Sequence, residues 1–187
     1  MRRLLEAIAR DFAWTAANRW EPLGDRSRPR QLLMCAGLLV RSRIVAVALF
    51  RLKQELRRHR VPVLPAVCDR LAIVGWNVCI GNHTTIGPGL YLPHGNVVID
   101  GIVRIGRQCV IAPWVTIGVN GSVAGPTIGD NVFIGTGAKV LGGIRVGNGV
   151  RIGANAVVLD DVPDGATVVG IPARIVKTVE GSAANLQ

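Results

Sequence analysis

Long apolar runs are missing from this chain. In the N-terminal part, residues 32–40 and 44–50 form apolar stretches of nine and seven residues, split by Arg41-Ser42-Arg43. Each is far short of the roughly 20 residues that cross a bilayer. The start, Met1-Arg2-Arg3, is basic, but Glu6, Arg10 and Asp11 interrupt any apolar core of a secretory leader, so a cytoplasmic protein is expected. Paired cysteines are missing too. Cys35, Cys68, Cys79 and Cys109 share no short spacing, which excludes a Cys-x-x-Cys metal knuckle and suits small apolar fillers in a reduced compartment. Only three histidines occur, His59, His83 and His94, in unlike contexts, so no metal site is expected.

Acidic residues are few and unevenly opposed. Up to Arg70 there are 15 Lys and Arg against 6 Asp and Glu, a net of +9; the rest of the chain has 7 against 6. Basicity therefore belongs to the first 70 residues. There Leu4, Leu5, Ile8 and Phe12 recur at helical spacing, GDRSRPR breaks the pattern, and a second helical stretch runs from Gln31 to Arg60 before Val61-Pro62. Such helices can pack on one another or on sister subunits, or meet an anionic membrane surface or a phosphate-bearing substrate. Phe12, Trp14, Trp20 and Phe50 lie among these charges without any nucleic-acid-binding motif, so no nucleic acid is expected. The division expected is 1–70, a basic helical segment for packing and oligomerisation; 71–176, a repeat domain; and 177–187, a tail.

What the chain does have is a beat of six. An aliphatic residue followed by a small one recurs as Val74-Gly75, Ile80-Gly81 and Ile86-Gly87, then Ile105-Gly106, Ile111-Ala112 and Ile117-Gly118, then from Ile128-Gly129 through Ile152-Gly153 to Val158. Neither a helix nor a simple alternating strand has that period. It fits one short strand and one tight turn per unit, three units to a coil, and coils stacked as a solenoid with the aliphatic residue inside. Two breaks stand out. The register slips by one between Val98 and Ile99, and Ile117 to Ile128 spans eleven residues. The second break, GVNGSVAGPT, reads as a mobile loop. Irregularities in a regular scaffold are where sites tend to lie.

The beat resembles that of the hexapeptide-repeat transferases, which implies a mainly β fold, a left-handed parallel β-helix with an N-terminal α-helical segment. Within that class, Ile86-Gly87-x-Gly89-Leu90-x-Leu92-x-His94 followed by Val97-Val98-Ile99 resembles the active-site coil of serine acetyltransferases and of polysaccharide O-acetyltransferases. The run IGANAVVLDDVPDGATVVGIPARIV, with Gly170-Ile171-Pro172-Ala173-Arg174, resembles their closing coil, and LLMCAGLLVRSRIVAVALFRLKQELRR their helices before the prism. The likeness covers roughly Arg26 to Val176. γ-Type carbonic anhydrases share the prism but need three histidines on it; only His83 and His94 fall there.

The resemblance implies an acetyl-CoA-dependent O-acetyltransferase in which His94 is the general base, removing the proton of an acceptor hydroxyl as it attacks the thioester. Imidazole suits the task because its ordinary pKa lies near neutrality. It also implies a homotrimer or dimer of trimers, with acetyl-CoA in the groove between adjacent prisms. Gly118, Gly135, Thr136, Ala138, Gly153 and Ala154 would let its pantetheine arm approach, and Arg151, Arg174 and Lys177 are the candidate phosphate partners. Three departures follow. Cys79 stands where the serine enzymes carry an aspartate that supports the base. Pro93 replaces an acidic residue, and the loop before Ile128 lacks a histidine. They shift the expected acceptor from L-serine toward a sugar hydroxyl or another small alcohol, and leave His94 to be oriented by a main-chain carbonyl or by Asp100. The alternatives are serine O-acetyltransferase proper and, in another class, a non-catalytic trimeric scaffold at a membrane surface.

Overall fold

The computed structural model describes residues 2–17 and 44–178. Among the described residues three helices precede a prism of short strands: α1 (Arg2–Ala17), α2 (Ile44–Arg58) and α3 (Leu64–Trp76). The residues around Cys35, Trp20, the first half of the second predicted helical stretch and the tail from 179 lie outside the described residues. Among the described residues no helix is long and apolar enough to cross a membrane.

The prism has three faces. Face one carries β1 (Val78–Ile80), β3 (Val97–Ile99), β6 (Thr116–Gly118), β9 (Lys139–Leu141) and β12 (Val157–Val158). Face two carries β2 (Thr85–Ile86), β4 (Ile102–Ile105), β7 (Ala124–Ile128) and β10 (Arg145–Val146). Face three carries β5 (Val110–Ile111), β8 (Phe133–Ile134), β11 (Arg151–Ile152), β13 (Thr167–Val169) and β14 (Arg174–Lys177). Every pairing is parallel except β13 with β14. The chain visits faces one, two and three in turn, so each strand pairs with the equivalent strand one coil on. This is the parallel β-helix that the beat of six expects.

The beat works because one residue per unit points to the axis. Ile99, Ile117 and Val140 on face one, Ile105 and Ile128 on face two, and Ile111, Ile134 and Ile152 on face three are all buried in one continuous core. Each such aliphatic contributes on the order of 1.5–3 kcal/mol by leaving water. The beat starts later than the sequence suggests. Val74-Gly75 lies in α3, with Val74 85 % exposed. The helix continues past Arg70 until Asn77 takes a left-handed conformation (φ 52°) and its N–H caps the carbonyls of Ala72 and Ile73. The segment after Ile117 also differs from a mobile loop. Its second half is β7, paired on both sides, and only residues 119–123 form the bulge.

A stack of coils leaves unpaired main-chain groups at its first coil, an edge that proteins must cover. Here the helices cover it with buried charges. Arg51 of α2 donates to the carbonyls of Ile86 and Gly87 and to the Asp11 carboxylate of α1 (Nε–Oδ2 3.0 Å). Asp11 accepts the N–H groups of Gly89 at 2.7 Å and Leu90 at 3.0 Å. Lys53 donates to the Ile80 carbonyl and pairs with Asp69 at 2.6 Å, and Gln54 donates to the Thr84 carbonyl. Arg51 and Lys53 are therefore not part of a solvated basic face. They are buried caps of strand ends, and neither is available to a membrane surface.

Candidate active site

The three edges of the prism differ in kind. Between faces two and three runs a ladder of side chains. The Asp130 carboxylate accepts the N–H of Arg107 at 2.7 Å, the Asn148 amide oxygen accepts that of Asp130 at 2.8 Å, and the Asp164 carboxylate accepts that of Asn148 at 2.9 Å. Each coil thus caps the one before it. Below Arg107, which has no acceptor to offer, stands Pro88, which has no N–H to satisfy. In the same coil Asp11 reaches in from α1 to take the next two N–H groups. These bonds pull Asp130 and Asp164 below the usual carboxylate range; the Arg107 side chain is the main cause for Asp130 and the Asn148 N–H for Asp164.

The edge between faces three and one carries His94. Tyr91 is bridged to Val110 and its carbonyl accepts the Ile111 N–H. On the other side of the corner the Trp114 N–H donates to the Asn96 carbonyl at 2.8 Å. Leu92 and Val97 are buried like Ile111 and Val115 one coil on. Four residues link the first pair and three the second. One residue among Pro93, His94, Gly95 and Asn96 is therefore in excess, so the slip expected between Val98 and Ile99 is absorbed earlier, in the corner that carries His94. The His94 imidazole is exposed. Gly95 holds the corner in place. A Cβ there would collide with the Trp76 carbonyl at the end of α3, so the bulge is seated directly on the last turn of that helix.

The other corners of this edge continue the line. Main-chain bonds join Trp114 to Asn96, Gly137 to Pro113 and Asn155 to Thr136. With about 4.8 Å per coil, Thr136 lies roughly 10 Å and Ala154 roughly 14 Å beyond the His94 corner. Gly135, Thr136, Gly153 and Ala154 all occupy this edge, and Thr136 and Ala154 are exposed. The remaining candidates scatter. Ala138 is fully buried and points into the core, so its side chain cannot line a groove. Gly118 ends β6 beside the Asp100 carbonyl on the third edge, between faces one and two. Arg151 lies on the outside of face three over the Phe133 ring, 5.2 Å from its centroid. Arg174 and Lys177 are exposed on β14, with Arg174 3.8 Å from Asp160.

Asp100 is not beside His94 in one chain. It lies at the far end of β3, about 13 Å along the strand from Asn96 at roughly 3.3 Å per residue. Its carboxylate accepts the Gly101 N–H at 2.9 Å and covers Gly81. Cys79 faces outward on β1 opposite Val98. Desolvation first, then the charges of Asp100 and Asp69, push its thiol above the ordinary value. It is a neutral thiol at pH 7 and supplies no negative charge. Cys109, buried and donating to the Gly129 carbonyl, is pushed up to about 11.

Sequence reasoning passed over Trp114. At this corner the equivalent residues are Asn77, Asn96, Gly137 and Asn155, all with left-handed φ, and Trp114 adopts the same conformation at φ 65°. Asn and Gly tolerate that region; a bulky side chain there costs on the order of 1–3 kcal/mol. A tryptophan in a column of Asn and Gly is the signal that would have found it. Its indole is 61 % exposed and borders an open groove of about 420 Å³ along face one, with Cys79, Asn96, Thr116 and Lys139.

A parallel solenoid of six-residue units is the architecture of hexapeptide-repeat transferases, and residues 125–160 match the family described as bacterial transferase hexapeptide (six repeats). The chain belongs, more narrowly, to the serine acetyltransferase family. It is 41 % identical over 143 residues to serine acetyltransferase of Helicobacter pylori (strain J99), covering 74 % of this chain and 84 % of that one. To serine acetyltransferase of Synechococcus elongatus it is 42 % identical over 135 residues, 70 % of this chain and 55 % of that protein. The match thus spans little more than half of the cyanobacterial relative. Among solved structures, serine acetyltransferase of Neisseria gonorrhoeae in complex with serine superposes with a TM-score of 0.79 at 28 % identity, over 93 % of this chain and 69 % of that one. A serine acetyltransferase in complex with CoA gives 0.76 at 29 % identity, over 92 % and 69 %.

Proposed function

We propose that this chain transfers the acetyl group of acetyl-CoA to a hydroxyl, with L-serine as the acceptor. The observation that carries the reading is the exposed His94, in a corner one residue longer than its neighbour, on an edge that continues past Thr136 and Ala154. The relatives and solved structures named above favour serine over the sugar or other small alcohol that the departures at Cys79, Pro93 and the loop suggest. His94 takes the hydroxyl proton as the oxygen attacks the thioester carbon. Main-chain N–H groups of the neighbouring loop stabilise the oxyanion. The C–S bond then breaks, and the CoA thiolate takes the proton from His94.

One prism supplies one side of such a site. The His94 edge and the edge bearing Asp100, Gly118 and the 119–123 bulge flank the same face, so a ring of three copies would set one edge against the other. In this reading Gly118 and Asp100 serve the site from the neighbouring copy, while Arg151, Arg174 and Lys177 stay candidates for the phosphates. The test is an acceptor series with acetyl-CoA, following free thiol, together with solution mass. Thiol release driven by L-serine and lost in His94→Ala supports the reading, and no release with L-serine refutes it. A second reading, an acceptor without an ammonium group, is favoured by the neutral thiol at Cys79 and by the groove on face one, where Lys139 is the one charged side chain among the described residues. Turnover of a neutral polyol well above L-serine would place it first.

A further inference from the structure

Trp114 occupies the corner between His94 and Thr136, one coil from each. An extended pantetheine arm laid along this edge, with its thioester at His94, must pass the indole. We propose that Trp114 is the apolar wall of the acyl-thioester channel and limits the transferred acyl group to acetyl. The inference rests on the reading that acetyl-CoA follows the His94 edge.

Three observations support it. The side chain is exposed on the catalytic edge rather than packed in the core. Its backbone is fixed on both sides: its N–H donates to the Asn96 carbonyl, and its own carbonyl accepts Lys139 Nζ at 2.8 Å. A backbone held on both sides fixes the point from which the ring projects over the groove. Finally, it holds a left-handed conformation that the other corners of the column give to Asn or Gly, and strain of this sort clusters at ligand clamps. Folding alone would be served by asparagine, as at Asn96 and Asn155.

The experiment uses the full chain and its Trp114→Ala and Trp114→Phe variants. It reads kcat/KM for acetyl-, propionyl- and butyryl-CoA, the change in tryptophan fluorescence on adding CoA, and solution mass. Removing the ring should raise the butyryl-to-acetyl ratio by about tenfold or more, since one methylene in an apolar pocket is worth roughly 10–200-fold. Trp114→Phe should keep the acetyl preference and lose most of the CoA-induced fluorescence change. An acyl ratio within about twofold of the parent chain overturns the proposal, and so does a loss of assembly in Trp114→Ala at an unchanged ratio, which would make the indole a contact between copies. If the parent chain does not bind CoA, the acetyl-CoA reading fails and this inference with it. If the parent chain binds CoA and the variants behave alike, only the role of Trp114 fails.

Discussion

Two edges of one prism are made from the same six-residue unit and are put to different uses. On the edge between faces two and three, Asp130, Asn148 and Asp164 each bond the main chain of the preceding coil. On the His94 edge, among the described residues, the corner side chains His94, Trp114, Thr136 and Ala154 make no such ladder; main-chain bonds join the coils, with one more from Lys139 Nζ to the Trp114 carbonyl. Polar groups spent on neighbouring backbone build the scaffold. Groups left facing outward are free for chemistry. The difference teaches that residue type is a poor guide in a solenoid: an aspartate on one edge is architecture, and a histidine on the next is a candidate base.

The sharpest way to break the comparison is to exchange the roles. His94→Ala should lower kcat by roughly 10²–10⁴-fold with an unchanged melting temperature, because the exposed imidazole supports no other group among the described residues; steady-state kinetics and calorimetry read both. On the ladder edge the reverse is expected. Asp11→Ala breaks a buried ion pair and strips the first coil of its acceptor, which should cost about 3–5 kcal/mol of stability in denaturant unfolding. Asn148→Ala, in the middle of the ladder, should cost about 1 kcal/mol and leave kcat unchanged; a fall in kcat with intact stability would blur the distinction between the edges. The smallest effect is a pH dependence. Asp164 is held below its ordinary pKa in the folded chain, so its contribution is present above about pH 4 and is lost as pH falls through the lower folded value. Melting between pH 6 and pH 3 should therefore decline less steeply in Asp164→Asn than in the parent chain.

Much of the fold can be read directly, because a period of six constrains every coil in the same way. What periodicity cannot report is which residue of an irregular segment is in excess. The slip seen between Val98 and Ile99 belongs to the corner at His94, since β3 pairs in register with β1 and β6. Val74-Gly75 imitates a unit by spacing alone while it sits in α3. Composition also misleads at the N-terminus, where Arg51 and Lys53 count as charge but lie buried on strand ends. At the site, the motif leads to His94, Thr136 and Ala154. The inward side chain of Ala138 and the place of Asp100 at the far end of β3 were not legible, because inward or outward direction, and the end of a strand at which a residue falls, depend on the exact turn.

The two ends of the stack carry a further consequence. Every coil offers the next the same parallel pairing at the same spacing, so nothing within a coil tells the stack where to stop or what to refuse. A bare terminal coil would accept the last coil of another molecule as readily as its own neighbour. Arg51, Asp11 and Lys53 at one end, and the reversed strand β14 over part of the other, act as stoppers against head-to-tail fibres. In this sense α1 and α2 keep a self-complementary rod a molecule of finite length.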